Sequence, residues 1–204
     1  QKVHALEKTL QESPAEREST VILFAETRGF TRTSEILQPS VVLARISEFF
    51  VLVRAAVETE GGTVRSVLND TLMASFSGKD NARQAVQAAQ EVQGGFAVFE
   101  ESWEHDYGIR AALAIGLHAG SAVVGTADGA MPGQPLIIGD GVSVAERLLH
   151  RARAGEFVLS KSVMDALATS GYALEAEELP SLVLPRREAI RLFGVLRDTR
   201  LDFT

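Results

Sequence analysis

Thr20-Val-Ile-Leu-Phe-Ala-Glu-Thr-Arg-Gly-Phe-Thr31 passes from an unbroken apolar run into a polar turn that contains glycine. A run such as Thr20 to Ala25 is expected of a central strand buried in a sheet. Glu26 then places a carboxylate at the strand end. The loop from Glu26 to Gln38 holds Gly29, and a loop of this kind can point backbone N–H groups at an anion.

Working outward, Pro39 opens a long helix, at a favoured first helical position. Its apolar residues, Val42, Ile46, Phe49, Phe50, Val53 and Val57, recur at helical spacing. Gly61-Gly62 stops it. Two short strands, Thr63 to Leu68 and Thr71 to Phe76, flank Asn69-Asp70, a tight hairpin signal. A second helix begins near Asp80, an N-cap residue. Its stripe is Ala85, Ala89, Val92, Phe96, Phe99 and Trp103, with Gly94-Gly95 as a weak point. Ile109 to Leu117 reads as a strand and Ser121 to Gly125 as its hairpin partner, with His118 in the turn. Leu136 to Ile138 is a short strand, and Gly139-Asp140-Gly141 leads a helix to about Arg153. Arg151 and Arg153 read as its solvated end. Glu156 to Leu159, Tyr172 to Glu175 and Ile190 to Leu196 read as further strands, and Ser162 to Thr169 as a short helix. The order β-α-β-β-α-β predicts an α+β, ferredoxin-like antiparallel sheet with helices packed on one face.

Residues 1–19 form a separate, polar segment. Val3, Leu6 and Leu10 have heptad spacing, and Pro14 would end such a helix. The division expected is an N-terminal helical linker over 1–19 and a globular domain over 20–204. The chain starts with glutamine, which suggests excision from a longer protein. Its 204 residues suit one domain, and 46% hydrophobic residues supply a core. The absence of cysteine excludes disulfides and zinc-thiolate sites. A net charge of −7 argues against nucleic acid as a partner. No apolar stretch approaches the length of a membrane span. A cytoplasmic location is expected, including at the cytosolic end of a larger, membrane-attached protein.

Asp70, at the hairpin tip, and Glu26 can meet at one edge of a ferredoxin-like sheet. Paired carboxylates beside a phosphate-binding loop suit Mg²⁺ or Mn²⁺ with a nucleoside triphosphate. The same two residues also read as a solvated glutamate and a turn aspartate.

Four segments in order resemble the class III adenylate and guanylate cyclase family. They are Leu23-Phe-Ala-Glu-Thr-Arg-Gly-Phe-Thr31; Gly61-Gly62-Thr63 with Asn69-Asp70-Thr-Leu-Met-Ala74; Ile115-Gly-Leu-His-Ala-Gly120 with Val123-Val124-Gly125; and Ile138-Gly139-Asp140 with Val142, Ala145 and Arg147. The resemblance runs over residues 20–197. It implies a divalent-metal site, ATP or GTP as substrate and a head-to-tail homodimer, or pairing with an intact cyclase domain, below an upstream sensor.

Carried over residue by residue, the resemblance makes Glu26, the Thr27 carbonyl and Asp70 the metal ligands. The loop Arg28, Gly29, Phe30 and Thr31 becomes the triphosphate turn. Arg147 matches the arginine that stabilises the transition state, and Ser143 stands where the family has a ribose-positioning asparagine. Ser66 replaces the base-reading lysine. Arg65 beside it points to the other face if the strand alternates. Leu136 replaces the second base reader. The phosphate lysine falls near Leu184, with Arg186 as its substitute. Several departures at once imply weak or absent turnover and little discrimination between purines. An active adenylate or guanylate cyclase is the alternative. A nucleotide polymerase or diguanylate cyclase on the related sheet is set aside, because the hairpin tip lacks Gly-Gly-Asp/Glu-Glu/Asp-Phe.

Overall fold

The computed structural model describes residues 15–130, 132–133 and 135–197. Strand β1 (Glu16–Arg28) is followed by the short helix α1 (Phe30–Ser34) and by α2 (Pro39–Thr59). The hairpin β2 (Thr63–Leu68) and β3 (Thr71–Ser77) leads to α3 (Asn81–Tyr107). Then come β4 (Ala112–Gly125), β5 (Leu136–Ile138) and α4 (Asp140–Arg151). The chain continues through β6 (Glu156–Ser160), α5 (Lys161–Thr169), β7 (Glu177–Leu182) and β8 (Ile190–Leu196).

The strands form one eight-stranded sheet in the order β2-β3-β1-β4-β6-β8-β7, with β5 paired to the end of β4. Its β2-β3-β1-β4 half is the expected ferredoxin-like unit. β4 and β6 run parallel, and the other pairs are antiparallel.

The helices cover both faces, not one. Val21, Leu23 and Ala25 of β1 pack with Phe49, Val53, Phe96 and Trp103 of α2 and α3. Ile22 and Phe24 point the other way, to Val144, Ala145, Leu148 and Leu149 of α4. A strand covered on both sides has no polar alternation, which is why Thr20 to Ala25 reads as unbroken apolar sequence.

Three expectations are corrected. Residues 109–125 do not form a hairpin. β4 runs straight through His118 and Gly120, because the long β1 pairs with it from Arg28↔Ala112 to Glu16↔Val124. The hairpin partner of its end is β5, with Val123 opposite Ile138. The same pairing starts β1 at Glu16, four residues before the expected strand start at Thr20. The proposed seam of Val3, Leu6 and Leu10 lies outside the described residues. Tyr172 to Glu175 is not a strand. Tyr172 and Leu174 pack as coil on the α2–α3 core, and the edge strand is Glu177–Leu182. A register shift between Leu179 and Leu182 accommodates Pro180, which has no N–H for the ladder.

α3 runs unbroken through Gly94-Gly95. At Gly95 the missing Cβ admits Leu52 of α2, whose Cδ1 would lie 2.5 Å from such an atom.

Candidate active site

The β2–β3 turn brings the two carboxylates together. Asn69 takes a left-handed φ of 53°, which asparagine tolerates better than most residues. The Thr27 N–H donates to the Asp70 carbonyl at 3.3 Å, and Glu26 lies opposite Thr71 in the ladder. Glu26, Ser66, Asp70 and Thr71 therefore line one cavity of about 470 Å³, floored by Phe24 and Met73. Its far wall is α4, through Val142, Glu146, Leu149 and His150.

Burial pushes the Asp70 carboxyl above its usual range, and the charge of Glu26 adds to the rise; the hydrogen bonds it accepts act the other way. Two carboxylates that repel each other in a part-buried cleft are suited to a divalent cation. Oxygen donors alone fit Mg²⁺ or Mn²⁺, which keep positions for water and phosphate oxygens. No group of three or more His, Cys, Asp or Glu side chains forms a ready metal cage among the described residues. The protein's share would be Glu26, Asp70 and the Thr27 carbonyl. The Thr27 side chain is buried, and its hydroxyl finds no partner among the described residues.

Gly29 has φ 85°. A Cβ there would lie 2.5 Å from the Arg110 carbonyl oxygen, so only glycine makes this turn. The Phe30 side chain is buried against Trp103, ring centroids 5.5 Å apart. Phe30 thus anchors the loop through its ring, and only its backbone faces outward chemistry. Thr31 is exposed at the start of α1.

A bulge between Val64 and Ser66 overturns the alternation argument for Arg65. Ser66 faces Met73 across the ladder, yet Arg65 Nε donates to Ser75 Oγ at 2.8 Å. Ser75 lies opposite Ile22, whose side chain belongs to the α4-side core. The extra residue re-aims Arg65 toward the same face as Ser66.

Ser143 and Arg147 are exposed on α4, one turn apart, and do not line the cavity of Glu26 and Asp70. Leu136, at the start of β5, also lies outside it. Within one chain the cavity joins Glu26 and Asp70 to Ser66, while Thr27, Leu136, Ser143 and Arg147 are not among its lining residues.

The phosphate-lysine region differs from the extended segment expected. Leu184 is buried in the α4-side core, and Arg186 adopts φ 63°. Arg187 grips Asp140 in a bidentate pair at 2.6 and 2.8 Å. The pair holds the Asp140 carboxyl below the usual carboxylate range.

Sequence reasoning missed Glu146, His150 and Arg187. Val142, Glu146 and His150 recur every four residues, so a helical wheel would have placed them on one face.

His118 sits in mid-strand, with Nδ1 2.8 Å from Ser160 Oγ. Burial lowers its pKa to about 4, so the ring is neutral at pH 7. Arg153 is not a solvated helix end. It donates to the fully buried Glu156 and to Glu177.

A ferredoxin-like sheet with paired carboxylates at the end of β1 and the β2–β3 tip, faced by a helix bearing a serine and an arginine one turn apart, defines a nucleotide cyclase domain. Residues 13–188 match the family described as adenylate and guanylate cyclase catalytic domain, and the chain belongs to that family. An adenylate cyclase of Anabaena cylindrica is 26% identical over 181 residues, 85% of this chain and 36% of the relative. The chain thus spans about a third of that protein's length. The adenylyl cyclase CyaB from P. aeruginosa superposes with a TM-score of 0.81 at 21% identity, over 92% of this chain and 98% of that one. The guanylate cyclase domain of RhGC from Catenaria anguillulae, solved with GTP, gives 0.75 at 17%, over 90% and 100%. Among the described residues no helix is long and apolar enough to cross a membrane.

Proposed function

We propose that this chain is a class III nucleotide cyclase domain with altered metal, base and ribose positions, whose isolated homodimer turns over weakly or not at all. The observation that carries this reading is the shared cavity of Glu26 and Asp70, with serine at position 66 and no charged or amide side chain at Leu136 or Ser143. The reaction joins the ribose 3′-oxygen of ATP or GTP to the α-phosphorus, releases pyrophosphate and gives up one proton.

Glu26, Asp70 and the Thr27 carbonyl would hold Mg²⁺ or Mn²⁺. The bound ions would supply Lewis acidity at the attacking hydroxyl and the phosphates. Backbone N–H groups of the loop from Arg28 to Thr31 would hold the triphosphate. Arg147 would donate to the phosphoryl oxygens as charge develops there. Removing a single donor of this type costs about 10²–10³ in rate, so several altered positions together predict a large deficit.

The exposure of Ser143 and Arg147 outside the metal cavity supports completion of each site by a second chain, head to tail. That chain is a copy of this one or an intact cyclase domain. The segment before β1 would lead to an upstream sensor, with this domain in the cytoplasm.

A second reading, an active adenylate or guanylate cyclase, is favoured by the kinship with a protein named adenylate cyclase. The deciding assay incubates the chain with ATP or GTP in Mn²⁺ and in Mg²⁺ and measures cyclic product directly, with light scattering on the same sample. Brisk turnover by the unmodified homodimer would refute the degenerate reading.

A further inference from the structure

Glu26 and Arg28 are two residues apart in an extended strand, so their side chains leave β1 on the same side. Arg28 Nε donates to Glu26 Oε1 at 3.0 Å. Its Nη2 donates to the Leu149 carbonyl at 2.6 Å, and its Nη1 to the Ala152 carbonyl. Those carbonyls belong to the last turn and C-cap of α4. A helix end has unpaired acceptors and a partial negative charge, and both favour a cation there. One guanidinium therefore spans the metal-side carboxylate and the end of the helix that carries Ser143 and Arg147. Arginine suits this task because its planar fork presents five donors in fixed directions, which a lysine ammonium does not. The choice of glutamate over aspartate at position 26 adds the methylene that carries the carboxylate toward Arg28. Among the described residues the second oxygen, Glu26 Oε2, has a single 3.5 Å contact, to Thr71 Oγ1, which leaves it room for another partner.

We infer that Arg28 is a positioning residue that ties Glu26 to the seating of α4, and that its guanidinium opposes a divalent cation at Glu26. The inference rests on the metal-site reading of Glu26 and Asp70. A cation drawn to Glu26 meets the guanidinium charge one carboxylate away and shares the carboxylate with it. Loading the metal site and holding the end of α4 then draw on the same side chain. This links cation occupancy to the helix bearing the arginine that the proposed reaction needs.

The test is Mn²⁺ binding by the whole chain, followed by electron paramagnetic resonance without nucleotide, for wild type, Arg28→Gln, Arg28→Lys, Glu26→Asp and Glu26→Asp/Arg28→Gln. Arg28→Gln should bind Mn²⁺ about tenfold more tightly, the size expected when a unit charge near a divalent ion is removed at near-aqueous dielectric. Arg28→Lys keeps the charge and should not gain affinity. In the Glu26→Asp background the shorter carboxylate no longer reaches Arg28 while the guanidinium charge stays nearby, so Arg28→Gln should add a smaller gain than in wild type. Amide hydrogen exchange across 148–152 should quicken in both Arg28 variants, because each loses the fork on the α4 carbonyls. If Arg28→Gln fails to fold, Arg28→Lys still carries the helix arm of the test. Mn²⁺ affinity unchanged in Arg28→Gln, equal gains in the glutamine and lysine variants, or unaltered exchange at the end of α4 would each overturn the inference while leaving the cyclase reading intact. No Mn²⁺ binding by any variant, together with no cyclic product, would overturn both.

Discussion

Replacing Gly116 with alanine should push α4 away from the sheet. A Cβ at this position in β4 would lie 2.4 Å from the Leu149 nitrogen, 2.6 Å from the Ala145 oxygen and 2.9 Å from the Leu149 Cα. All three are backbone atoms, so no rotamer change relieves the clash. Ordinary contact begins near 3.4 Å, and the C-terminal half of α4 must therefore withdraw by about 1 Å. Overpacking of this kind costs about 1–3 kcal/mol. For a chain of this size each kcal/mol lowers Tm by about 2–4 °C, so the expected fall is about 2–12 °C. Because α4 carries Ser143 and Arg147, any cyclase activity should fall further than stability does. A displacement of about 1 Å can cost about 10²-fold in rate. Thermal melts by circular dichroism give the first quantity, and cyclic product formed in Mn²⁺ gives the second. Gly94→Ala is the control. That glycine is exposed inside α3 with nothing within 4 Å of a new Cβ, so alanine should stabilise by up to about 1 kcal/mol. A Gly116→Ala protein that melts at or above the wild-type temperature would show that α4 is not seated on the β4 backbone as described.

Asp70 has a folded-state pKa raised above 3.8, so its contribution to stability is present below pH 3.8 and is lost as pH rises through the folded value. Asp70→Asn should therefore melt higher than wild type at pH 7 without metal, while Mn²⁺ should raise the melting temperature of wild type alone; the reverse order would refute the crowded-carboxylate account. His118 titrates near 4 in the fold against 6.5 unfolded, with Asp140 and Arg187 as the charges that act on it. Its contribution is complete above pH 6.5 and lost as pH falls toward 4, so melting temperature should drop across that window in wild type and less in His118→Asn. Restoring Glu26→Asp, Ser66→Lys, Leu136→Asp and Ser143→Asn together should raise cyclic-nucleotide production. The lysine and aspartate belong together because a lone buried charge is costly. Arg147→Ala in that background should remove about 10²–10³ of the rate, and a folded quadruple variant that stays silent would place the defect elsewhere.

Much of this site is legible in the sequence because its parts are local. A carboxylate at the end of an apolar strand, a glycine two or three residues on and an Asn-Asp tip between two short strands each occupy a few consecutive residues. The resemblance to the cyclase family singles out positions 143 and 147, and helical spacing puts them on one face. Arg65 was misread because a bulge is a mismatch between two strands, and one strand alone does not reveal it. Phe30 reads as a loop residue until Trp103, far along the chain, is placed against it. Arg187 looks like any exposed arginine until Asp140 meets it.

Sequence alone determined the apolar strand that ends at Glu26, the hairpin that carries Asp70 and the long helices after Pro39 and Asp80, because strand, turn and helix signals repeat over two to four residues; the altered positions 26, 66, 136 and 143 came from the resemblance to the cyclase family. Only the tertiary structure decided that α4 lies on the opposite face from α2 and α3, that β4 is one strand and β5 its partner, and that Arg28 joins Glu26 to the end of α4. Those features depend on contacts between segments up to 124 residues apart, whose energies come from packing and geometry that no local pattern encodes.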